Sequence, residues 1–316
     1  MSMGQGSRWI CLTFAMIFVG APILGQAAKN GTASSPPLLS ESLEAAADLT
    51  NGYEVIPNVV YLTANNYEDK LDVYKSSGSE PKPTLIYIHG GGWKGEFTKE
   101  QFSLWFEPFL FLGWHVINVE YRPSSVSLAP AAVEDCLCAL RWTIRNAARF
   151  HFDTSRIVVM GHSAGGQLAL TTGMVPESAG LDVECPGDEP LKVAAIVDWF
   201  GVTDVASLVE GPNADPAAKH WLGSLPNQKE RALRVSPLTY VRSELPPILI
   251  IHGDKDPKVP YTQALRLHAS LTKAGVPNQL VTIPGGGHGG FGKRQTERAY
   301  AEVFDFLRKH GILTPK

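Results

Sequence analysis

The sequence predicts an α/β protein built on a single, mostly parallel sheet of eight strands with helices on both faces. From about residue 55 onward, short runs rich in β-branched residues alternate with longer stretches of helical periodicity. Such stretches are needed to connect parallel strands. The first two predicted strands have no helix between them, so we expect the sheet to begin with an antiparallel pair.

The predicted strands share β-branched composition and flanking turn residues. They cover residues 55–62, 71–74, 84–89, 115–121, 157–161, 194–200, 247–252 and 279–283. The predicted helices share apolar residues at helical spacing and cover 99–112, 129–150, 165–174, 261–274 and 294–310. Two long connections, 176–192 and 202–245, leave the sheet on the side where ligands bind in such folds, and we expect them to wall a pocket.

The composition is that of a globular protein without a nucleic-acid partner. Of 316 residues, 44% are hydrophobic and 19% are charged. The 28 basic residues are balanced by 31 acidic ones, giving a net charge of −3. This balance provides no basic surface that would attract a phosphate backbone.

The N-terminus predicts export. Residues 1–27 have Arg8 before an apolar segment and small residues up to Ala27, a pattern typical of a cleaved signal peptide. The apolar segment is too short to favour a spanning helix, although an uncleaved anchor stays open. Residues 28–54 have a linker composition, and residues 55–316 form the predicted domain. We expect a secreted or periplasmic protein with no stable membrane insertion after cleavage.

Three cysteines would remain after that cleavage: Cys136, Cys138 and Cys185. A bond between Cys136 and Cys138 is disfavoured because helical residues two apart project to different faces. A bond to Cys185 stays open, but our expectation is that all three are buried packing residues. The cysteines and histidines lack the spacing of a zinc site, and no cofactor is predicted.

The strongest chemical signal is Gly-His-Ser-Ala-Gly at residues 161–165, centred on Ser163. This G-x-S-x-G pattern stands where a predicted strand turns into a predicted helix, which is the context of a nucleophile elbow. Small residues flank the serine because side chains there would collide with the neighbouring backbone. Ser163 is therefore the predicted nucleophile.

A serine nucleophile needs a base, and the base needs an orienting acid. His288 lies in a glycine-rich loop after the last predicted strand, and Asp256 follows the strand before it. Parallel strands end at the same edge of a sheet, so both loops should lie near Ser163. Asp254 is the rival for the acid, and we favour Asp256 because it lies further into its loop.

The loop after the strand 84–89 is typical of an oxyanion hole, which stabilises a negatively charged intermediate with backbone N–H groups. Its sequence is His-Gly-Gly-Gly-Trp, residues 89–93. Gly91 and Gly92, together with Ala164 after the serine, are the predicted donors. Trp93 is a candidate substrate-binding residue at the pocket rim, with a packed core position as the open alternative.

Together these motifs resemble the α/β-hydrolase esterases related to hormone-sensitive lipase. Within these, the chain is most similar to the bifunctional feruloyl and acetyl-xylan esterase group, and the resemblance runs from about residue 55 to 310. The motifs that carry it are HGGGW at 89–93, GHSAGGQLAL at 161–170, HGDKDPKVP at 252–260 and GGGHGGF at 285–291.

The resemblance implies a single α/β-hydrolase domain with Ser163, Asp256 and His288 as the triad. It also implies a structural role for Arg122, holding a carboxylate such as Asp135. We therefore expect a secreted serine carboxylesterase that uses an acyl-enzyme and no cofactor. Its expected substrate is a small-molecule or polysaccharide ester, in particular an acetyl or feruloyl ester of plant polysaccharide.

Two alternatives stay open. The same triad could cleave an amide, as in an arylformamidase or a peptidase. Gly92 argues against the formamidase alternative, because formamidase-like chains usually have tyrosine at that position. A non-catalytic ligand-binding protein on a hydrolase fold is the second alternative, because a fold alone does not prove catalysis. The sequence predicts no oligomeric state.

Overall fold

The computed structural model describes residues 52–95, 99–224 and 226–314. The predicted signal peptide, 1–27, and the linker up to residue 51 lie outside the described residues. Within the described part of the chain, no helix is both long enough and apolar enough to cross a bilayer.

The described chain contains one eight-stranded sheet. Its strands are β1 (Tyr53–Ala64), β2 (Tyr67–Ser76), β3 (Lys82–Ile88), β4 (His115–Val119), β5 (Phe152–His162), β6 (Ala195–Trp199), β7 (Ile248–Gly253) and β8 (Asn278–Ile283). The α-helices are α1 (Glu107–Phe111), α2 (Ala131–Arg145), α3 (Ala147–Phe150), α4 (Ala164–Met174), α5 (Pro216–Leu222), α6 (Gln228–Arg234), α7 (Thr262–Lys273) and α8 (Lys293–Lys309). Four 3₁₀ helices lie at Lys99–Trp105, Glu177–Ala179, Val205–Leu208 and Pro237–Tyr240.

The sheet order is β1-β2-β4-β3-β5-β6-β7-β8. β2 runs antiparallel to both β1 and β4, and every later pair is parallel. The predicted fold class is therefore confirmed, including its antiparallel start.

Several predicted elements differ in extent from the observed ones. β1 and β2 extend beyond the predicted 55–62 and 71–74, and the predicted helix 99–112 is a 3₁₀ helix followed by the short α1. β5 begins at Phe152, earlier than predicted, because the buried Phe152 pairs with Lys82 across a register shift. The predicted helix 129–150 is divided at Asn146, whose backbone leaves the helical conformation at φ −90° and ψ 5°. The extension of β5 depends on tertiary pairing, and the break at Asn146 depends on a local turn. Helical or strand periodicity encodes neither.

Alternate residues of the central strands point into two apolar layers, as a sheet covered on both faces requires. On β3, Ile86 and Ile88 pack into the layer that includes residues of α2, α4 and α7. Leu85 and Tyr87 pack into the opposite layer, which includes residues of α1 and α8. Helices therefore cover both faces of the sheet, and the candidate catalytic residues follow the carboxyl ends of its strands.

Arg122 follows β4 and is 1% exposed. Its Nε donates to Asp135 on α2 at 2.8 Å, its Nη2 lies 2.6 Å from the same carboxylate, and its backbone N–H also donates to it at 2.8 Å. A buried charge needs such partners to offset its lost hydration. The pair joins the strand end to α2, which is the structural role expected for Arg122.

Cys138 on α2 forms a disulfide with Cys185, whereas Cys136 is free and buried. The expectation that all three cysteines are packing residues is therefore wrong for two of them. Arg141 explains the approach: it donates to Asp182 at 2.6 Å and to the Glu189 carbonyl, holding the connection across α2. These long-range contacts bring Cys185 beside the helix, and local sequence does not reveal them.

The disulfide predicts a redox-dependent stability. It spans 47 residues, and a loop of this size stabilises a fold by about 2–5 kcal/mol, chiefly by restricting the unfolded chain. Reduction should therefore lower the melting temperature of the wild type, measured by calorimetry with and without dithiothreitol. The Cys185→Ala variant should melt lower and show no response to the reductant. An equal response in both proteins would contradict the bond.

Candidate active site

Ser163 occupies a sharp turn between β5 and α4, with φ 55° and ψ −122°. Its N–H donates to the Trp199 carbonyl at 2.9 Å, which ties the turn to β6. The turn requires glycine on both sides: a Cβ on Gly161 would lie 2.2 Å from the Gly165 oxygen, and one on Gly165 would lie 2.1 Å from the Ile88 oxygen. The predicted elbow is thus present, with its strain held by close packing of backbone atoms.

The structure brings the three predicted residues into one hydrogen-bonded series. Ser163 Oγ lies 2.7 Å from His288 Nε2, and His288 Nδ1 lies 2.8 Å from Asp256 Oδ2. Both distances are within hydrogen-bond reach, so the serine can donate to the imidazole and the imidazole to the carboxylate. The arrangement is that of a nucleophile, a base and an orienting acid.

The side chain of Asp256 is fully buried and remains charged. Burial acts to raise its pKa, but hydrogen bonds from His252 and His288 and the N–H of Val259 outweigh this effect and hold the pKa well below its usual range. Its Oδ1 accepts the N–H groups of Lys258 at 2.8 Å and Val259 at 2.9 Å. Donors to both oxygens therefore fix the carboxylate and favour its charged form.

Asp254, the rival acid, serves the loop instead. Its Oδ1 accepts the N–H of Gly285 at 2.7 Å, which connects the acid loop to the loop that carries His288. The structure therefore places Asp256, rather than Asp254, beside the imidazole.

The three predicted oxyanion donors lie at the ends of β3 and β5. Gly91 and Gly92 have φ +121° and +62°, conformations that side chains other than glycine rarely adopt. Ala164 is the first residue of α4, where a backbone N–H has no partner within its own helix. Within the described residues, none of these three N–H groups donates to a backbone carbonyl of a turn or loop. They are free to bind an anionic oxygen.

His162 holds the oxyanion loop in place, a role that the sequence analysis did not assign. The N–H of Gly90 donates to His162 Nε2 at 3.3 Å, and His162 Nδ1 lies 2.8 Å from the Tyr87 hydroxyl. Because Nε2 accepts, the proton of the neutral ring lies on Nδ1. Burial lowers the pKa of His162 to about 3, with further lowering by His89 and His288, so the ring is neutral at pH 7.

Trp93 is buried, with 2% of its surface exposed. Its ring stacks on Trp221 at 4.4 Å, and its Nε1–H donates to Gln167 at 2.9 Å. The structure therefore places Trp93 in the core, and the rim position predicted for it is wrong. The indole is held there by a tryptophan from a distant connection, which no pattern near residue 93 could indicate.

An aromatic wall, defined here as Phe200, Trp105 and Phe291, adjoins the base. The edge of Phe200 meets the His288 ring at 4.9 Å between centroids. Trp105 and Phe291 contact Phe200 in turn, at 5.8 and 5.7 Å. Trp105 and Phe291 are each partly exposed. Such surfaces suit a planar or apolar group of a substrate.

The connection 202–245 reaches the oxyanion loop, as expected of a pocket wall. A Cβ on Gly92 would lie 3.3 Å from Ala217 of α5, and Trp221 of the same helix stacks on Trp93. The connection 176–192 is held instead to α2 through its disulfide and Asp182. Its other described contacts are with Arg234 of α6 and with Arg122, so the predicted wall role is supported for the longer connection alone.

Comparison with known proteins gives one family and several similar esterases. The model of the family described as BD-FAE matches residues 71–271, a range that includes Ser163 and Asp256 and ends before His288. Esterase LipQ of Mycobacterium tuberculosis is 29% identical over 257 residues, covering 76% of this chain. That alignment spans 59% of LipQ, so this chain corresponds to little more than half of that relative.

Two solved structures are similar along most of their length. A truncated form of a carbohydrate esterase from gut microbiota is 28% identical with a TM-score of 0.69, covering 82% of this chain and 96% of that one. Thermogutta terrifontis esterase 2 phosphorylated by paraoxon is 29% identical with a TM-score of 0.69, covering 84% and 96%.

The low pKa of His162 predicts a pH-dependent stability. Between the unfolded-state pKa of about 6.5 and the folded-state value, only the unfolded chain binds a proton at this residue, so the contribution is complete above 6.5 and is lost as the pH falls toward about 3. From pH 7 to about pH 4.5, the wild type should lose about 2 kcal/mol more unfolding free energy than His162→Asn. Urea unfolding of both proteins measures this difference, and parallel pH curves would show that His162 is not held neutral.

Proposed function

This chain belongs to the BD-FAE family, and from that premise we propose that it is a serine carboxylesterase with Ser163 as its nucleophile. The observation that carries the proposal is the continuous series Ser163–His288–Asp256, with contacts of 2.7 and 2.8 Å on a strained elbow. The relatives named as esterases support the same reaction.

In the first half of the reaction, Ser163 Oγ attacks the ester carbonyl while His288 Nε2 takes its proton. The charge that develops on the carbonyl oxygen is stabilised by the N–H groups of Gly91, Gly92 and Ala164. Asp256 stabilises the imidazolium through its contact with Nδ1. The imidazolium then gives its proton to the departing alcohol, leaving an acyl group on Ser163.

In the second half, water replaces the alcohol. His288 takes a proton from the water as its oxygen attacks the acyl carbonyl, and the same three N–H groups bind the oxyanion. Collapse of this intermediate breaks the bond to Ser163 Oγ, which takes back the proton from His288. The acid is released and the site returns to its starting state without a cofactor.

We propose acetyl or feruloyl esters of plant polysaccharide as the substrates. The aromatic wall beside His288 supports this class, because a planar phenolic acyl group can pack against aromatic side chains. The gut carbohydrate esterase offers a similar fold as further support. The proposed site of action is outside the cytoplasm, and the Cys138–Cys185 bond supports this because disulfides persist in oxidising compartments.

Replacing Ser163 with alanine should abolish release of acetate and ferulate from acetylated, feruloylated arabinoxylan. We expect a loss of at least about 10⁴-fold in kcat with an unchanged melting temperature, because only the reacting oxygen is removed. Chromatography of the released acids measures it. The control is Ser155→Ala, which changes an exposed serine on β5 away from the elbow.

Three results would each contradict one part of this proposal. Turnover retained by Ser163→Ala would remove Ser163 as the nucleophile. Cleavage of p-nitrophenyl acetate without release of either acid from arabinoxylan would retain the esterase and exclude the polysaccharide substrate. Faster cleavage of an anilide than of the ester with the same acyl group would favour an amide hydrolase.

The Phe291→Ala variant tests the aromatic wall. Loss of one aromatic contact worth about 1 kcal/mol should lower kcat/KM for methyl ferulate about fivefold, while kcat/KM for p-nitrophenyl acetate stays within about twofold. The matched control is Phe111→Ala, because Phe111 is 55% exposed at the end of α1. Equal losses on both esters would indicate that Phe291 does not select the acyl group.

A further inference from the structure

Two buried polar atoms lie behind the acid of the candidate site without partners. Among the described residues, Asp198 Oδ2 and His252 Nδ1 accept or donate no hydrogen bond. Both residues are fully buried. Buried polar groups without partners are costly, and in folded proteins they are generally paired directly or through an ordered water. The two atoms therefore require an explanation.

The sheet places both side chains on one face and close together. Asp198 of β6 pairs with Ile250 of β7, and His252 follows two residues later on β7, so all three point to the same side. The pairing of β6 with β7 makes Asp198 and His252 diagonal neighbours on this face of the sheet. α4 closes this face, because a Cβ on Gly166 would lie 2.5 Å from Asp198 Oδ1.

The contacts of His252 determine which of its nitrogens carries the proton. Its Nε2 lies 3.0 Å from the Val259 carbonyl, which can only accept, so Nε2 carries a hydrogen. The same nitrogen lies 3.3 Å from Asp256 Oδ2. In the neutral ring, Nδ1 is then an acceptor that needs a donor. Tyr261, whose ring meets the His252 ring at 5.8 Å, directs its hydroxyl to Thr282 instead.

Asp198 can supply that donor. Its Oδ1 accepts the N–H of Gly201 at 2.9 Å, which leaves Oδ2 to carry a proton. Burial raises the pKa of Asp198 to about 7, against lowering by His252 and by the Gly201 N–H. A carboxyl group with this pKa is protonated in a large fraction of molecules near neutral pH.

We propose that Asp198 and His252 form a buried hydrogen-bonded relay that positions Asp256. In this relay the Asp198 O–H donates to one buried water, and the water donates to His252 Nδ1. The His252 Nε2–H is then shared between the Val259 carbonyl and Asp256 Oδ2, at 3.0 and 3.3 Å. Asp198 is thus a positioning residue that acts through His252. The inference rests on the ester hydrolysis proposed above.

The relay matters because Asp256 Oδ2 also accepts from His288. With Nδ1 unsatisfied, the His252 ring can turn toward another partner, and the shared oxygen then loses one of its two imidazole donors. Asp256 would be held by the backbone N–H groups at Oδ1 alone, and His288 would be less well oriented. The expected defect is therefore in turnover rather than in substrate binding.

The test compares Asp198→Ala with Asp198→Asn. Asparagine retains an acceptor for the Gly201 N–H and an N–H donor for the water that bridges to His252 Nδ1, whereas alanine retains neither. We expect Asp198→Ala to lower kcat about tenfold with KM unchanged, and Asp198→Asn to stay within about threefold. Thr84→Ala is the control, because Thr84 is an equally buried polar residue near the start of β3, at the opposite end of the strands from this site, and its kcat should not change.

A double-mutant cycle with His252→Asn separates a relay from two independent effects. If Asp198 acts through His252, Asp198→Ala in the His252→Asn background should cause no further loss of kcat. Additive losses, or equal losses in Asp198→Ala and Asp198→Asn, would overturn the proposal. So would an unchanged kcat in Asp198→Ala.

Nitrogen-15 NMR of histidine-labelled protein tests the relay without relying on a stable alanine variant or on activity. His252 should show a protonated Nε2 and a hydrogen-bonded acceptor at Nδ1, and the Nδ1 shift should move in Asp198→Asn. A protonated Nδ1 in a neutral ring, or identical His252 shifts in the two proteins, would contradict it. If the wild type cleaved no ester, the proposed function would fail while this spectrum still decided the relay.

Discussion

The positive φ of Ser163 is the constraint on which the site depends. It exposes the hydroxyl at the edge of the sheet, and it persists because the glycines on either side let α4 approach the β3 backbone within contact distance. The same approach brings the start of α4 beside the backbone of Ile88 and His89, which leads into the glycine loop after β3. One strained turn therefore positions both the proposed nucleophile and the proposed oxyanion donor Ala164.

The buried charge of Asp256 is stabilised by hydrogen-bond donors to both of its carboxylate oxygens. Asp256 is withdrawn from solvent yet held charged by donors on both oxygens, so its field acts on His288 rather than on water. His162, in contrast, is kept neutral by burial, and its Nε2 accepts a hydrogen bond from the N–H of Gly90. His288 and His162 thus differ in role because His288 contacts the charged Asp256, whereas His162 accepts from a backbone N–H.

Much of the fold and of the site could be predicted because the signals are local. Elbow glycines, strand-end position and chain order pointed to Ser163, Asp256 and His288, and the family match confirms the resemblance drawn from the motifs. The placement of Trp93 and the disulfide could not be predicted in this way. Each depends on a partner from a long connection, Trp221 or Cys185, whose path over the sheet is set by tertiary contacts. The Phe200 contact with His288 has the same origin.

A covalent acyl group on Ser163 can be detected by mass spectrometry of protein quenched during turnover of a slowly hydrolysed p-nitrophenyl ester. We expect an added mass of one acyl group on the peptide that contains Ser163, decaying as the ester is consumed and absent from His288→Ala on the same timescale. Burst release of p-nitrophenol should accompany it. Full turnover with no adduct at any quench time, or an adduct on another residue, would exclude Ser163 as the nucleophile.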